Sequence, residues 1–130
     1  MEIEVIETDR APPPGGHYAQ ATAFRDLIFV SGQLPLGPDR APIADTFDEQ
    51  VAATLKSLFA ILEAAGSDRD HVLKVTAYIV GVEHWPAFNR VYAEHFGNAR
   101  PARAVVPVPE LHHGCLVELE AIAARRPTLR

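Results

Sequence analysis

Apolar and polar residues alternate near both ends of the chain, and between those ends apolar residues twice recur at helical spacing. Ile3-Glu4-Val5-Ile6 predicts a short first strand. The Ala11-Pro12-Pro13-Pro14-Gly15-Gly16 segment that follows can be neither helix nor central sheet, because consecutive prolines lack the N–H that either ladder needs. It reads as an ordered loop or arm. Tyr18 to Phe24 and Leu27 to Ser31 are the next strand candidates, joined across Arg25-Asp26 at hairpin spacing, with Ser31-Gly32 closing the second. Leu34-Pro35-Leu36-Gly37-Pro38-Asp39 is too rich in breakers for a regular element, and the loop runs on to Asp45.

Thr46 and Glu49 have the spacing of a capping box. Val51, Leu55, Leu58, Phe59 and Leu62 then mark one face of a helix that Gly66 stops. His71 to Val80, rich in β-branched residues and free of breakers, predicts a buried strand ended by a turn at Gly81. Pro86 suits the first turn of a second helix, whose apolar stripe is Phe88, Val91, Tyr92 and Phe96 and whose stop is Gly97. Two strands remain, one opening at Arg103-Ala104-Val105-Val106 and one over Leu116 to Ile122, with Leu111-His112-His113-Gly114 as the turn between them. The order is strands, helix, strand, helix, strands, without an internal repeat or a dividing linker. This predicts one α+β domain over residues 1–130, with two helices packed on one sheet.

Composition narrows the function classes. The chain is 130 residues long and 48% hydrophobic, enough for one core, and no stretch approaches the roughly 20 apolar residues of a membrane helix. Met1-Glu2-Ile3-Glu4 lacks the positive flank of a signal peptide, and the only cysteine, Cys115, leaves no internal disulfide to form. A cytoplasmic protein without a membrane partner is expected. The net charge of −5 and the absence of a basic run argue against nucleic acid as a partner.

Arg103 and Glu118 stand out as candidate chemistry. Each lies in an apolar, strand-like run, where a charge needs either solvent or a partner. A guanidinium matches a carboxylate with two parallel hydrogen bonds, and a nearby Glu can move protons on what is bound. Period-two alternation puts Glu118 and Glu120 on one face, so mutual repulsion would raise one pKa if that face is buried. Ser31-Gly32 reads either as a strand-ending turn or as a place where backbone and hydroxyl approach a ligand. Tyr18 reads as a pocket cover or as an ordinary half-buried tyrosine, and Asn89 as a helix-surface residue. His112, His113 and Cys115 are metal-ligating types, but their spacing fits no zinc pattern, and adjacent side chains on an extended segment diverge. No phosphate loop, nucleophile elbow or dinucleotide fingerprint is present, which removes the commonest cofactor classes, and no metal is expected.

Gly16-His17-Tyr18-Ala19-Gln20, Ser31-Gly32-Gln33-Leu34-Pro35, Asn89 with Tyr92 and Phe96, Pro101-Ala102-Arg103, and Glu118-Leu119-Glu120-Ala121-Ile122-Ala123 together resemble the Rid family of enamine/imine deaminases. The resemblance covers nearly the whole chain, and the closing Glu-Leu-Glu-Ala-Ile-Ala run is its most specific part.

The resemblance implies a chorismate-mutase-like α+β fold with a mixed sheet, in a barrel-like homotrimer with pockets between subunits. It implies hydrolysis of 2-aminoacrylate-type enamines and imines to 2-oxo acids and ammonia, the 2-iminobutanoate/2-iminopropanoate deaminase reaction, without a cofactor. By position, Arg103 matches the arginine that grips the substrate carboxylate and Glu118 the glutamate that positions or activates water. Tyr18, Ser31, Gly32 and Asn89 match positions lining the same pocket. Val105 stands where well-studied members place a cysteine, its backbone still able to bond the ligand, and His17 stands where a proline commonly precedes the tyrosine. The rival readings are a metabolite-binding or chaperone-like module using the same pocket, a catabolic 2-aminomuconate-type deaminase, and an endoribonuclease, which the acidic charge disfavours.

Overall fold

In the computed structural model, which describes residues 2–128, six strands form one sheet: β1 (Glu4–Ile6), β2 (Ala21–Phe24), β3 (Leu27–Gln33), β4 (Val72–Val80), β5 (Ala102–Val108) and β6 (Val117–Ala124). Their order across the sheet is β1-β2-β3-β6-β4-β5. Two helices, α1 (Phe47–Ala64) and α2 (Trp85–Phe96), complete the mixed α+β architecture. Every strand pair is antiparallel except β4–β5, which is parallel and joined through α2, because parallel neighbours need a crossover long enough to return the chain.

Alternation sends one set of side chains to the helices. Val75, Ala77 and Ile79 of β4 and Val117, Leu119, Ala121 and Ala123 of β6 are buried against Val51, Leu55, Leu58, Ile61 and Leu62 of α1 and Phe88, Val91, Tyr92 and Phe96 of α2. Thr46 caps α1: its hydroxyl accepts the Glu49 N–H at 3.2 Å and donates to the Glu49 carboxylate at 2.7 Å, with Asp48 and Glu49 in the positive first turn. Gly66 ends the helix region in the left-handed conformation, φ 81°.

Among the described residues no helix covers the opposite face of the sheet. Phe29 is 44% exposed and Val106 38% exposed there, beside Tyr78, Glu118, Glu120 and Ile122. A parallel pair such as β4–β5 is ordinarily buried on both sides. No helix among the described residues is long and apolar enough to cross a membrane.

Three boundaries differ from the sequence expectation. Tyr18, Ala19 and Gln20 precede the strand, which starts at Ala21. The buried Gln20 side chain accepts the Thr8 N–H at 2.7 Å and donates to the Thr8 carbonyl at 3.1 Å and the Pro12 carbonyl at 3.0 Å, so it anchors the proline-rich arm. Ser31-Gly32 does not close β3, which runs to Gln33 across a register irregularity opposite β6. His71 belongs to a 3-10 turn, Arg69–His71, where its ring meets Asp68 Oδ1 at 2.7 Å.

Candidate functional site

The parallel register of β4 and β5 sets Arg103 beside Val75 and Val105 beside Ala77, so both point to the helix-covered side. Because β5 is an edge strand, Arg103 stays exposed, while Val105 packs against the core. The Arg103 guanidinium donates to Asn89 Oδ1 at 2.8 Å and lies over the rings of Tyr92 and Phe88, 4.9 and 5.6 Å from their centroids. One hydrogen bond and two aromatic faces hold the planar fork in place. No carboxylate of the described residues pairs with it. A cavity of about 310 Å³, lined by Tyr92, Phe96, Arg100 and Pro101, opens beside Arg103. Burial pushes the Tyr92 hydroxyl pKa up to about 12 against the opposing Arg103 charge, so the phenol is neutral near pH 7.

Glu118 pairs with Tyr78 across β6 and β4 and faces the uncovered side. Burial, then the Glu120 charge, raise its carboxyl pKa, with His112 opposing. The Tyr78 hydroxyl donates to Glu120 Oε1 at 3.1 Å. Gly32 adjoins Glu118 so closely that a Cβ there would collide with the carboxylate. The Ser31 hydroxyl donates to the Ala19 carbonyl at 2.7 Å, which ties down the residue after Tyr18, and the Tyr18 hydroxyl accepts the Gly15 N–H at 3.2 Å. Tyr18 and Gly32 line one niche of about 20 Å³.

The candidate residues therefore form two groups. Arg103, Asn89 and Val105 gather where β5 meets α2, and Tyr18, Ser31, Gly32 and Glu118 gather around β3 and β6. The structure does not bring Arg103 and Glu118 together within one chain. They lie on opposite faces of the sheet with β4 between their strands, a consequence of strand register that spacing along the chain does not encode.

Sequence reasoning placed Phe88 and Tyr92 on an apolar stripe, and Tyr92 among the residues of the family resemblance, but gave neither ring its place against Arg103, which spacing along the chain does not show. It also missed Arg40, which lines the niche with Tyr18 and Gly32. The His112 and His113 rings, expected to diverge, stack with centroids 3.8 Å apart. The segment is a 3-10 turn, His112–Gly114, in which His113 takes φ 62°.

These features describe a small α+β protein with a one-sided sheet and two separate groups of candidate residues, Arg103 with Asn89 on the helix side and Glu118 on the open side. The family model described as "Endoribonuclease L-PSP" matches residues 8–125. A RutC family protein of Pyrococcus abyssi is 41% identical over 124 residues, 95% of this chain and 98% of that protein. The crystal structure of a member of the conserved Rid protein family, YyfA from Yersinia pestis, has a TM-score of 0.90 at 36% identity, covering 95% of this chain and 99% of that one. The crystal structure of E. coli TdcF with bound serine has a TM-score of 0.89 at 32% identity, covering 95% and 99%. The chain belongs to this L-PSP family, also called the Rid family.

Proposed function

We propose that this chain hydrolyses reactive enamines and imines of the 2-aminoacrylate type to 2-oxo acids and ammonia, at sites shared between copies of itself in a homotrimer. The observation that carries the reading is the division of the site. Arg103 presents an oriented guanidinium without a carboxylate partner, and Glu118 presents a half-buried carboxyl with a raised pKa, on opposite faces of one sheet. Two different surfaces that meet make a head-to-tail contact, which closes into a ring when the rotation permits. Such a contact would also cover the bare side of the β4–β5 pair.

In this reading Arg103 holds the substrate carboxylate by two parallel hydrogen bonds, with Asn89 keeping the fork in plane. Tyr18, Ser31, Gly32 and the backbone at Val105 line the pocket of the joined halves. The enamine passes to its imine tautomer. A water held by Glu118 of the adjoining copy attacks the imine carbon while the carboxylate takes one water proton. The carboxylate passes that proton to the nitrogen, giving a carbinolamine; it then relays the carbinolamine hydroxyl proton to the nitrogen as the C–N bond breaks, so that ammonia leaves and the 2-oxo acid remains. A single positioned carboxylate contributes about 10² to 10⁴ in rate, useful for intermediates that already hydrolyse unaided. Ligand binding without turnover is the second reading, favoured by the serine bound to the related TdcF.

Release of 2-oxo acid from in situ 2-aminoacrylate, above the spontaneous background, tests the activity. Arg103→Ala should lose binding and turnover together, and Glu118→Gln should keep binding and lose turnover. Co-refolding the two inactive variants in equal amounts should restore about a quarter of the sites, those taking intact Arg103 from one copy and intact Glu118 from its neighbour. Native acceleration without such rescue would refute the shared site, and saturable binding without acceleration would favour the second reading.

A further inference from the structure

Arg40 is a cation at the Glu118 half-site that the reaction above does not use. It lies on the loop after β3, and its guanidinium reaches back to the proline-rich arm, donating to the Pro13 carbonyl at 2.9 Å and lying flush against Gly15. With Tyr18, Gly32, Gln20 and Gln33 it lines the niche of about 20 Å³, and Gly32 directly adjoins the Glu118 carboxylate. A space of that size holds about one water or one ligand oxygen.

Several features favour an anion in the niche. No carboxylate of the described residues pairs with Arg40, and its guanidinium bonds a neutral carbonyl, that of Pro13. Its neighbour Asp39 accepts the Ala41 N–H at 3.1 Å and forms no ion pair with the Arg40 guanidinium. The backbone at Arg40 is left-handed, φ 61°, which is costly for a residue with a Cβ; the turn holds it there, with the Arg40 N–H donating to the Gly37 carbonyl at 3.0 Å and the Gly37 N–H to Ala41 at 2.9 Å. The Arg40 charge also reaches His113, whose ring Nε2 is buried without a partner.

We propose that Arg40 receives a second carboxylate, so that the site takes imines of dicarboxylic 2-amino acids, the α-carboxylate on Arg103 of one copy and the distal carboxylate on Arg40 of the other. This rests on the shared-site deaminase reading. The remaining Arg40 donors offer a fork to the distal carboxylate, and the narrow niche admits its oxygen. A substrate ending in a methyl group leaves that cation with water alone. Sites built to bond a polar group discriminate against analogues that lack it, and at this half-buried arginine the discrimination should be about tenfold to a hundredfold.

The test compares 2-iminoglutarate with 2-iminobutanoate, each generated in situ by an amino-acid oxidase, as substrates of the native chain, Arg40→Ala and Arg40→Lys. The native ratio of kcat/KM, dicarboxylate over monocarboxylate, should exceed about ten; Arg40→Ala should bring it down at least tenfold, and Arg40→Lys should keep part of it. A purely structural staple would lower both rates together and leave the ratio unchanged, which would overturn the proposal, as would a native ratio near one. If the native chain accelerates neither imine, the deaminase reading fails by itself. Calorimetry with 2-oxoglutarate and 2-oxobutanoate then decides the Arg40 site: selective loss of 2-oxoglutarate binding in Arg40→Ala supports it, and equal binding of the two acids refutes it.

Discussion

Replacing Gly32 by Ala would place a methyl group where the Glu118 carboxylate now lies. Gly32 is not among the glycines with positive φ, so alanine suits its backbone and the whole perturbation falls on the Glu118 side chain. Turning that carboxylate off its rotamer costs about 0.5–1.5 kcal/mol. Alanine in a strand recovers about 0.5–1 kcal/mol relative to glycine, so the net change in stability should be within about 1 kcal/mol. Activity should respond far more. A displacement of about 1 Å at a reacting group costs on the order of a hundredfold in rate, or about 2.7 kcal/mol of transition-state stabilisation. Urea unfolding and kcat/KM on the same preparation separate the two effects. A variant that keeps kcat/KM within about threefold of the native value would refute the role given to the Glu118 carboxylate. A stability loss above about 3 kcal/mol would show that backbone and not side chain absorbs the collision.

Glu118→Gln, apart from the loss of turnover expected under the proposed reaction, should stabilise the fold near pH 7. A carboxyl whose folded pKa is raised binds its proton more tightly in the native state, so native stability falls as pH rises from the unfolded value, about 4.3, through the folded one, and Gln removes that loss. Urea midpoints of the two proteins should therefore converge below about pH 4, and a gap independent of pH would contradict the assigned burial. Thr46→Ala should cost about 1 kcal/mol in thermal or urea unfolding through loss of the α1 cap, with catalysis per folded molecule unaffected. A change below about 0.3 kcal/mol would mean that water replaces the threonine hydroxyl at no cost.

Elements whose signal lies within a few turns of chain are legible in the sequence alone. The Thr46 cap and the stripe of Val51, Leu55, Leu58 and Leu62 belong to one helix, and the stripe ending at Phe96 to another, because local spacing sets helical faces. The breaker-free run to Val80, rich in β-branched residues, became an interior strand of the sheet, because its signal is likewise local. The errors fell where a side chain acts over a distance. Gln20 draws Tyr18 out of the strand by bonding Thr8 and Pro12, and Asp68 holds His71 in a turn.

The sequence by itself determined to which family the chain is similar and which residues are candidates for chemistry, since an arginine in a strand and the Glu118-to-Ala123 run are visible one residue at a time. It also determined that Glu118 and Glu120 share a face, because alternation within a strand is a local property. Which face of the sheet each charge occupies was decided only by the tertiary structure. The β4–β5 register turns Arg103 toward α2, the β4–β6 register turns Glu118 to the open side, and the 34–45 loop folds Arg40 back to Gly32. Register and loop closure are set by packing between segments far apart in the chain, so a pair that reads as one site along the sequence becomes, in space, two groups facing opposite ways.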